Sequence, residues 1–181
     1  FADAVSALPL GFRRIVNNEE IEIGNRIWKV RVGNGHAPEH ATLWSNVDDI
    51  VIAGDQIISS ISPNLGVYAT EPNANPVKEW IDTCHKLSAF ASDKHLTLPG
   101  HKLPFTGLKF RLKQMVENHE LALNRLINFL EKPHTAEECF SILFGKSIQK
   151  SENGLALVEA VAHVNYLYSD GTVSSVLDQH D

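Results

Sequence analysis

The fold of this chain is decided at Ile50-Val51-Ile52-Ala53-Gly54-Asp55. The run is short, apolar and β-branched, and Asp48-Asp49 bounds it with a turn, so it predicts a fully buried strand. It ends in a carboxylate. Upstream, Thr42–Trp44 predicts a short strand, and Gly35-His36-Ala37-Pro38-Glu39-His40 before it has the composition of a loop. Further up, Ile21 and Ile23 precede Gly24-Asn25, and Trp28, Val30 and Val32 alternate with Lys29 and Arg31 after it. Two such strands around a two-residue turn predict a hairpin. Downstream, Ser59–Asn75 is long and rich in Ser, Pro, Asn and Gly, which marks a functional loop rather than a linker. Pro76–Phe90 has a helical pattern with proline in its first turn. Leu96-Thr97-Leu98 predicts a strand that runs into the loop Pro99-Gly100-His101.

The character then changes. Leu108, Leu112, Met115, Val116, Leu123, Leu126, Ile127 and Leu130 keep a helical stripe that Pro133 ends. Thr135 with Glu138 three residues on is a capping-box pattern opening another helix. A third helix is expected from about Ser151 to Ser169, and after Asp170-Gly171 the stretch Thr172–Leu177 is strand-like. The boundary falls near Pro104–Gly107, giving a layered α/β part over 1–104 and a helical part over 105–181.

At 181 residues the chain is one domain or two small ones. With 43% hydrophobic and 21% charged residues, disordered, collagenous and coiled-coil classes are excluded. No apolar run approaches the ~18 residues of a membrane helix, and no basic segment leads an apolar block as in a signal peptide. A net charge of −6 argues against nucleic-acid binding by bulk charge. Cys84 and Cys139 read as buried free thiols, which points to a reducing, cytoplasmic compartment. The chain starts at Phe1 and its one methionine is Met115, so a processed chain or a piece of something longer is expected.

His36, Asp55 and His101 each lie at or just past a strand end, where layered α/β folds gather ligand sites. Imidazole and carboxylate together suit zinc, iron or manganese. A lone loop histidine is usually only solvated; the joint pattern carries the weight. Gly35-His36-Ala37-Pro38-Glu39-His40, Ile52-Ala53-Gly54-Asp55 and Leu98-Pro99-Gly100-His101-Lys102-Leu103-Pro104-Phe105, in this order, resemble the later metal motifs of the metallo-β-lactamase-fold hydrolases. The helical tail resembles the winged-helix-like appendage of one branch of that superfamily.

The resemblance implies half of an αββα sandwich followed by the appendage. It also implies roles. His36 would bind one metal of a two-metal centre, Asp55 would bridge both as the catalytic carboxylate, His101 would bind the second, and His40 would stand behind them. Zinc is the implied metal. Glu39 departs from the family, which often has glycine there, and this concerns the loop's conformation. The larger departure is that the family's first motif, His-x-His-x-Asp-His, has no counterpart in this chain. His85, His95, His119, His134, His163 and His180 are scattered without that spacing. Two ligands per metal are then left, fewer than the usual three plus water of catalytic zinc. The expectation is a chain that binds zinc weakly and hydrolyses nothing alone, while the complete protein hydrolyses an ester, thioester, lactone, amide or phosphodiester. The sheet face carrying Ile50 and Ile52 would lack its partner, so a complementary N-terminal segment, or a homodimer formed by exchange, is expected.

Asn64 and Tyr68, in the loop Ser59–Tyr68, are candidate pocket residues; the bland reading is that they pack the loop. Lys102, Lys109, Arg111 and Lys113 are the one basic concentration, able to attract an anionic substrate such as a coenzyme A thioester or RNA, or simply the solvated face of the long helix. A non-enzymatic winged-helix module for nucleic acid is the alternative, but the third helix has no Lys or Arg from Ser151 to Ser169, so no duplex DNA binding is expected. Trp28, Trp44 and Trp80 read as core. Both cysteines are expected to lack the base that a nucleophile would need, and no phosphate loop is present.

Overall fold

The computed structural model describes residues 6–7, 9–145 and 152–176. Strands β1 (Glu20–Ile23) and β2 (Arg26–Gly33) form the expected hairpin. Gly24 and Asn25 between them both have φ near +60°, the left-handed pair that matches strand twist in a two-residue turn. Strands β3 (His40–Ser45), β4 (Ile50–Gly54) and β5 (Leu96–Pro99) follow, with helix α1 (Pro76–Ser88) crossing between β4 and β5. The sheet order is β1-β2-β3-β4-β5, antiparallel except for the parallel β4/β5 pair.

The strand that decided the reading is half-buried, not fully buried. Val51 and Ala53 have no exposed surface, whereas Ile52 is 39% exposed. The reason is that the helices cover one face only. Ile52 stands with Leu43 and Leu98 by register, on the face where Leu96 is also exposed.

The covered face joins one buried cluster. Trp44, Val51 and Ala53 of the sheet meet Val77, Trp80 and Cys84 of α1, Leu112, Met115 and Leu126 of α2 (Leu108–Phe129) and Leu167 of α4 (Asn153–Ser169). This cluster runs across residue 104, so the chain changes secondary structure there without interrupting its core. All three tryptophans and both cysteines are buried as expected.

In the helical part, the capping box forms: the Thr135 amide donates to Glu138 Oε2 at 2.7 Å and the Glu138 amide to Thr135 Oγ1 at 3.4 Å. It leads into turns and a short α3 (Phe140–Phe144) rather than a long helix. The strand expected over Thr172–Leu177 is not formed among the described residues; Leu177 lies outside them. The amides of Thr172 and Val173 donate to the Leu167 carbonyl and close the end of α4, helped by Gly171 at φ +80°. Among the described residues of this part there are three helices and no wing. Ser151 and His180 also lie outside the described residues.

Candidate metal centre

Three strand ends converge. His36 sits in the β2–β3 loop, Asp55 directly follows β4, and His101 follows β5. Asp55 lies between the two imidazoles. Its Oδ1 accepts from His101 Nδ1 at 2.7 Å, and its Oδ2 stands 3.7 Å from His36 Nε2. The His36 and Asp55 side chains are about one quarter exposed, and His101 is 68% exposed, so the group opens to solvent on the His101 side.

Small residues allow this approach. A Cβ on Gly100 would meet Asp55 Oδ1 at 2.6 Å, and one on Gly54 would meet His40 Cε1 at 2.6 Å. Glu39, the departure in the loop, takes the left-handed conformation itself with φ +51°. Its amide donates to Asn34 Oδ1 at 2.8 Å and its carboxylate pairs with Arg14. The turn is therefore kept, with a strained residue where glycine would be relaxed.

The tautomer of His36 follows from its partner. Its Nδ1 lies 2.9 Å from the Asn64 carbonyl, which can only accept. Neutral His36 therefore carries its proton on Nδ1 and turns the bare Nε2 lone pair toward Asp55 Oδ2. Two acceptors facing each other at 3.7 Å favour a cation between them. That spacing is less than twice the ~2.0–2.1 Å zinc bond, so one ion can touch both. The donor set fits a divalent metal, yet it is not a full cage: among the described residues, no group of three or more His, Cys, Asp or Glu has the geometry to hold a metal ion. His40 stacks obliquely 6.0 Å from His36, with its Nδ1 buried and unpaired. Burial pulls its pKa down, His36 adds to this, and Asp55 pulls the other way.

The remaining candidates are placed less centrally. Asn64 uses its side chain to pack the loop onto α4, and Tyr68 is 57% exposed. The basic concentration is not a patch. Arg111 is buried, donating through Nε to the Ile58 carbonyl at 2.8 Å and through Nη2 to the Ile61 carbonyl at 2.9 Å; Lys113 pairs with Glu117 at 3.5 Å. Arg111 and Glu159 thus hold the loop after Asp55, and both escape a reading of the sequence because their partners lie tens of residues away. Burial raises the pKa of Cys84 strongly and that of Cys139 to about 11, so neither thiol is poised as a nucleophile.

Among the described residues, no helix is long and apolar enough to cross a membrane. A family model described as "Metallo-beta-lactamase-like, C-terminal domain" matches residues 123–181. The chain is 23% identical over 154 residues to the probable metallo-hydrolase YqjP of Bacillus subtilis (strain 168), covering 82% of this chain and 47% of that protein. It superposes on a beta-lactamase domain protein from Burkholderia ambifaria with a TM-score of 0.88 and 35% identity, covering 94% of this chain and 50% of that one. For a metallo-beta-lactamase family protein from Thermus thermophilus the TM-score is 0.78 at 26% identity, with 90% and 51% covered. The chain thus spans about half the length of the relatives it matches.

Proposed function

Since the chain belongs to the metallo-β-lactamase-fold family, we propose that it carries part of the metal site of a hydrolase. His36 and Asp55 would hold one ion, and Asp55 and His101 the other. The observation that supports this is the single carboxylate offering Oδ1 to one imidazole and Oδ2 to the other. Zinc suits these donors, and iron or manganese would serve the same ligands. When bound, such ions acidify a water to a pKa of about 7 and polarise a carbonyl or phosphoryl oxygen of the substrate.

The chain's own residues do the positioning. Asn64 sets the tautomer of His36, and Arg111 holds the loop after Asp55. A cavity of about 640 Å³ opens beside that loop, lined by Ile61, Ser62 and Asn64 on one side and Arg125, Glu159 and His163 on the other. It supports a substrate pocket shaped jointly by loop and helices. The bond cleaved in the whole protein is that of an ester, thioester, lactone, amide or phosphodiester. The open sheet face with Ile52 and Leu96 would take the complementary half of the fold.

The test is a competition titration with a chromophoric zinc chelator, on this chain and on a longer protein containing it. The chain is expected to bind zinc weakly and to lack hydrolytic activity. The longer protein is expected to bind tightly and to cleave members of an ester, lactone, thioester and phosphodiester panel. Sub-micromolar zinc affinity in this chain, or loss-free activity of the longer protein after Asp55→Ala, contradicts the proposal.

A further inference from the structure

Three hydrogen bonds tie the stretch from Asn64 to Val67 to α4. Asn64 Nδ2 donates to Glu159 Oε2 at 2.8 Å and to the Leu155 carbonyl at 3.4 Å, and the Val67 amide donates to the Val158 carbonyl at 3.0 Å. Between them the loop backbone presses on the helix: a Cβ on Gly66 would lie 2.9 Å from Val158 Cγ2. Asn64 therefore faces two ways. Its side chain grips α4, while its carbonyl receives the His36 Nδ1 proton at 2.9 Å.

We propose that Glu159 and Asn64 are positioning residues for His36. Through them α4 clamps the loop, and the clamped carbonyl holds the His36 ring in one tautomer and one orientation, with Nε2 toward Asp55. The proposal rests on the reading of His36 as a metal ligand, but the tautomer can be observed without metal. Partners of this kind, one step behind a ligand, fix ring orientation and raise ligand affinity. Glu159 is a costly residue to use for packing alone. Burial lifts its carboxyl pKa to about 7, and the Asn64 amide opposes that shift. An apolar side chain would fill the seam without this penalty; a carboxyl there has a use as the acceptor that holds Asn64.

The experiment is imidazole nitrogen NMR on the full chain, in the absence of metal and at slightly alkaline pH, followed by titration with zinc alone. Wild-type His36 is expected to carry its proton on Nδ1. Asn64→Ala and Glu159→Leu are expected to average the two tautomers and to weaken zinc binding about 10–100-fold. Glu159→Gln keeps an acceptor for Asn64 and is expected to restore both readouts. Asn165→Ala removes other ties of α4 to the same segment, those to the Pro72 and Ala74 carbonyls, and is expected to leave the His36 tautomer unchanged.

A proton on Nε2 in the wild type overturns the proposal outright, whether or not any variant folds. So does an unchanged tautomer in folded Asn64→Ala, or a Glu159→Gln variant as impaired as Glu159→Leu. Unchanged zinc affinity in His36→Ala would instead overturn the ligand reading alone, with the tautomer shifts still deciding the positioning role.

Discussion

Two histidine pairs in this molecule meet opposite fates. His36 and His101 stand at strand ends, partly exposed, with one carboxylate between them. His119 and His163 stand between helices α2 and α4, buried, stacked 5.3 Å apart and with no carboxylate in the stack. The second pair has a proton order that can be read off. His163 Nδ1 donates to the Glu159 carbonyl at 2.8 Å, so its Nε2 accepts from His119 Nδ1 at 3.2 Å. His119 Nε2 is left as a buried lone pair without a donor. Burial drives the His119 pKa down to about 3 and lowers that of His163. The lesson is that imidazole chemistry is set by the element that carries it. Strand ends converge on a solvent-open carboxylate, whereas a helix seam desolvates the ring and keeps it neutral.

The comparison breaks most severely at Asp55. Asp55→Ala removes the donor shared by both proposed ions, so zinc affinity is expected to fall by more than the ~10–100-fold cost of losing a supporting partner. Calorimetric titration measures this, and an unchanged affinity would remove the distinction between the two pairs. The next largest effect is acid sensitivity. The unfolded chain takes up a proton on His119 near pH 6.5, while the folded chain does so only near about 3. Stability is therefore present above pH 6.5 and lost as the pH falls through that window, by an amount of order 5 kcal/mol at ~1.36 kcal/mol per unit. His119→Leu should flatten the acid limb of denaturant-derived stability; an identical limb in the variant would contradict the assignment.

A smaller loss is expected for His163→Leu. It strands the buried His119 Nδ1 proton in the seam, at a cost of about 1–3 kcal/mol. His119→Leu removes the unsatisfied Nε2 but takes the donor from the buried His163 Nε2, so one orphaned acceptor replaces another and the change should be close to neutral at pH 8. Equal losses in the two variants would show that the proton order is wrong. The smallest effect concerns the loop of the first pair. Glu39→Gly relieves a left-handed residue and should raise stability by up to about 1 kcal/mol, seen as a rise in melting temperature; a fall would show that the Arg14 pairing outweighs the strain.

The strand-end site was legible because its signals are local. Asp55 directly follows Gly54 at the end of β4, His36 and His101 each follow a glycine just past the ends of β2 and β5, and the sheet order then converges the three ends. The hairpin was legible for the same reason, through Gly24-Asn25. Burial of β4 was misread because an apolar run does not say how many faces are covered; Ile52 needed the sheet's neighbours to be placed. The seam was not legible at all. His119 and His163 are 44 residues apart, and Asn64 and Glu159 are 95 apart, with no periodicity linking them. Arg111 looked like one more cation on a helix, and only its two carbonyl partners show it as a buried clasp. The strand expected after α4 failed because Thr172 and Val173 spend their amides on closing that helix.

One measurement tests the contrast between the two pairs most directly: a zinc titration of the chain followed through the imidazole Cε1–H resonances. The account predicts that His36 and His101 shift together along one weak isotherm while His119 and His163 stay in place. Shifts at His119 and His163, or none at His36 and His101, would contradict it.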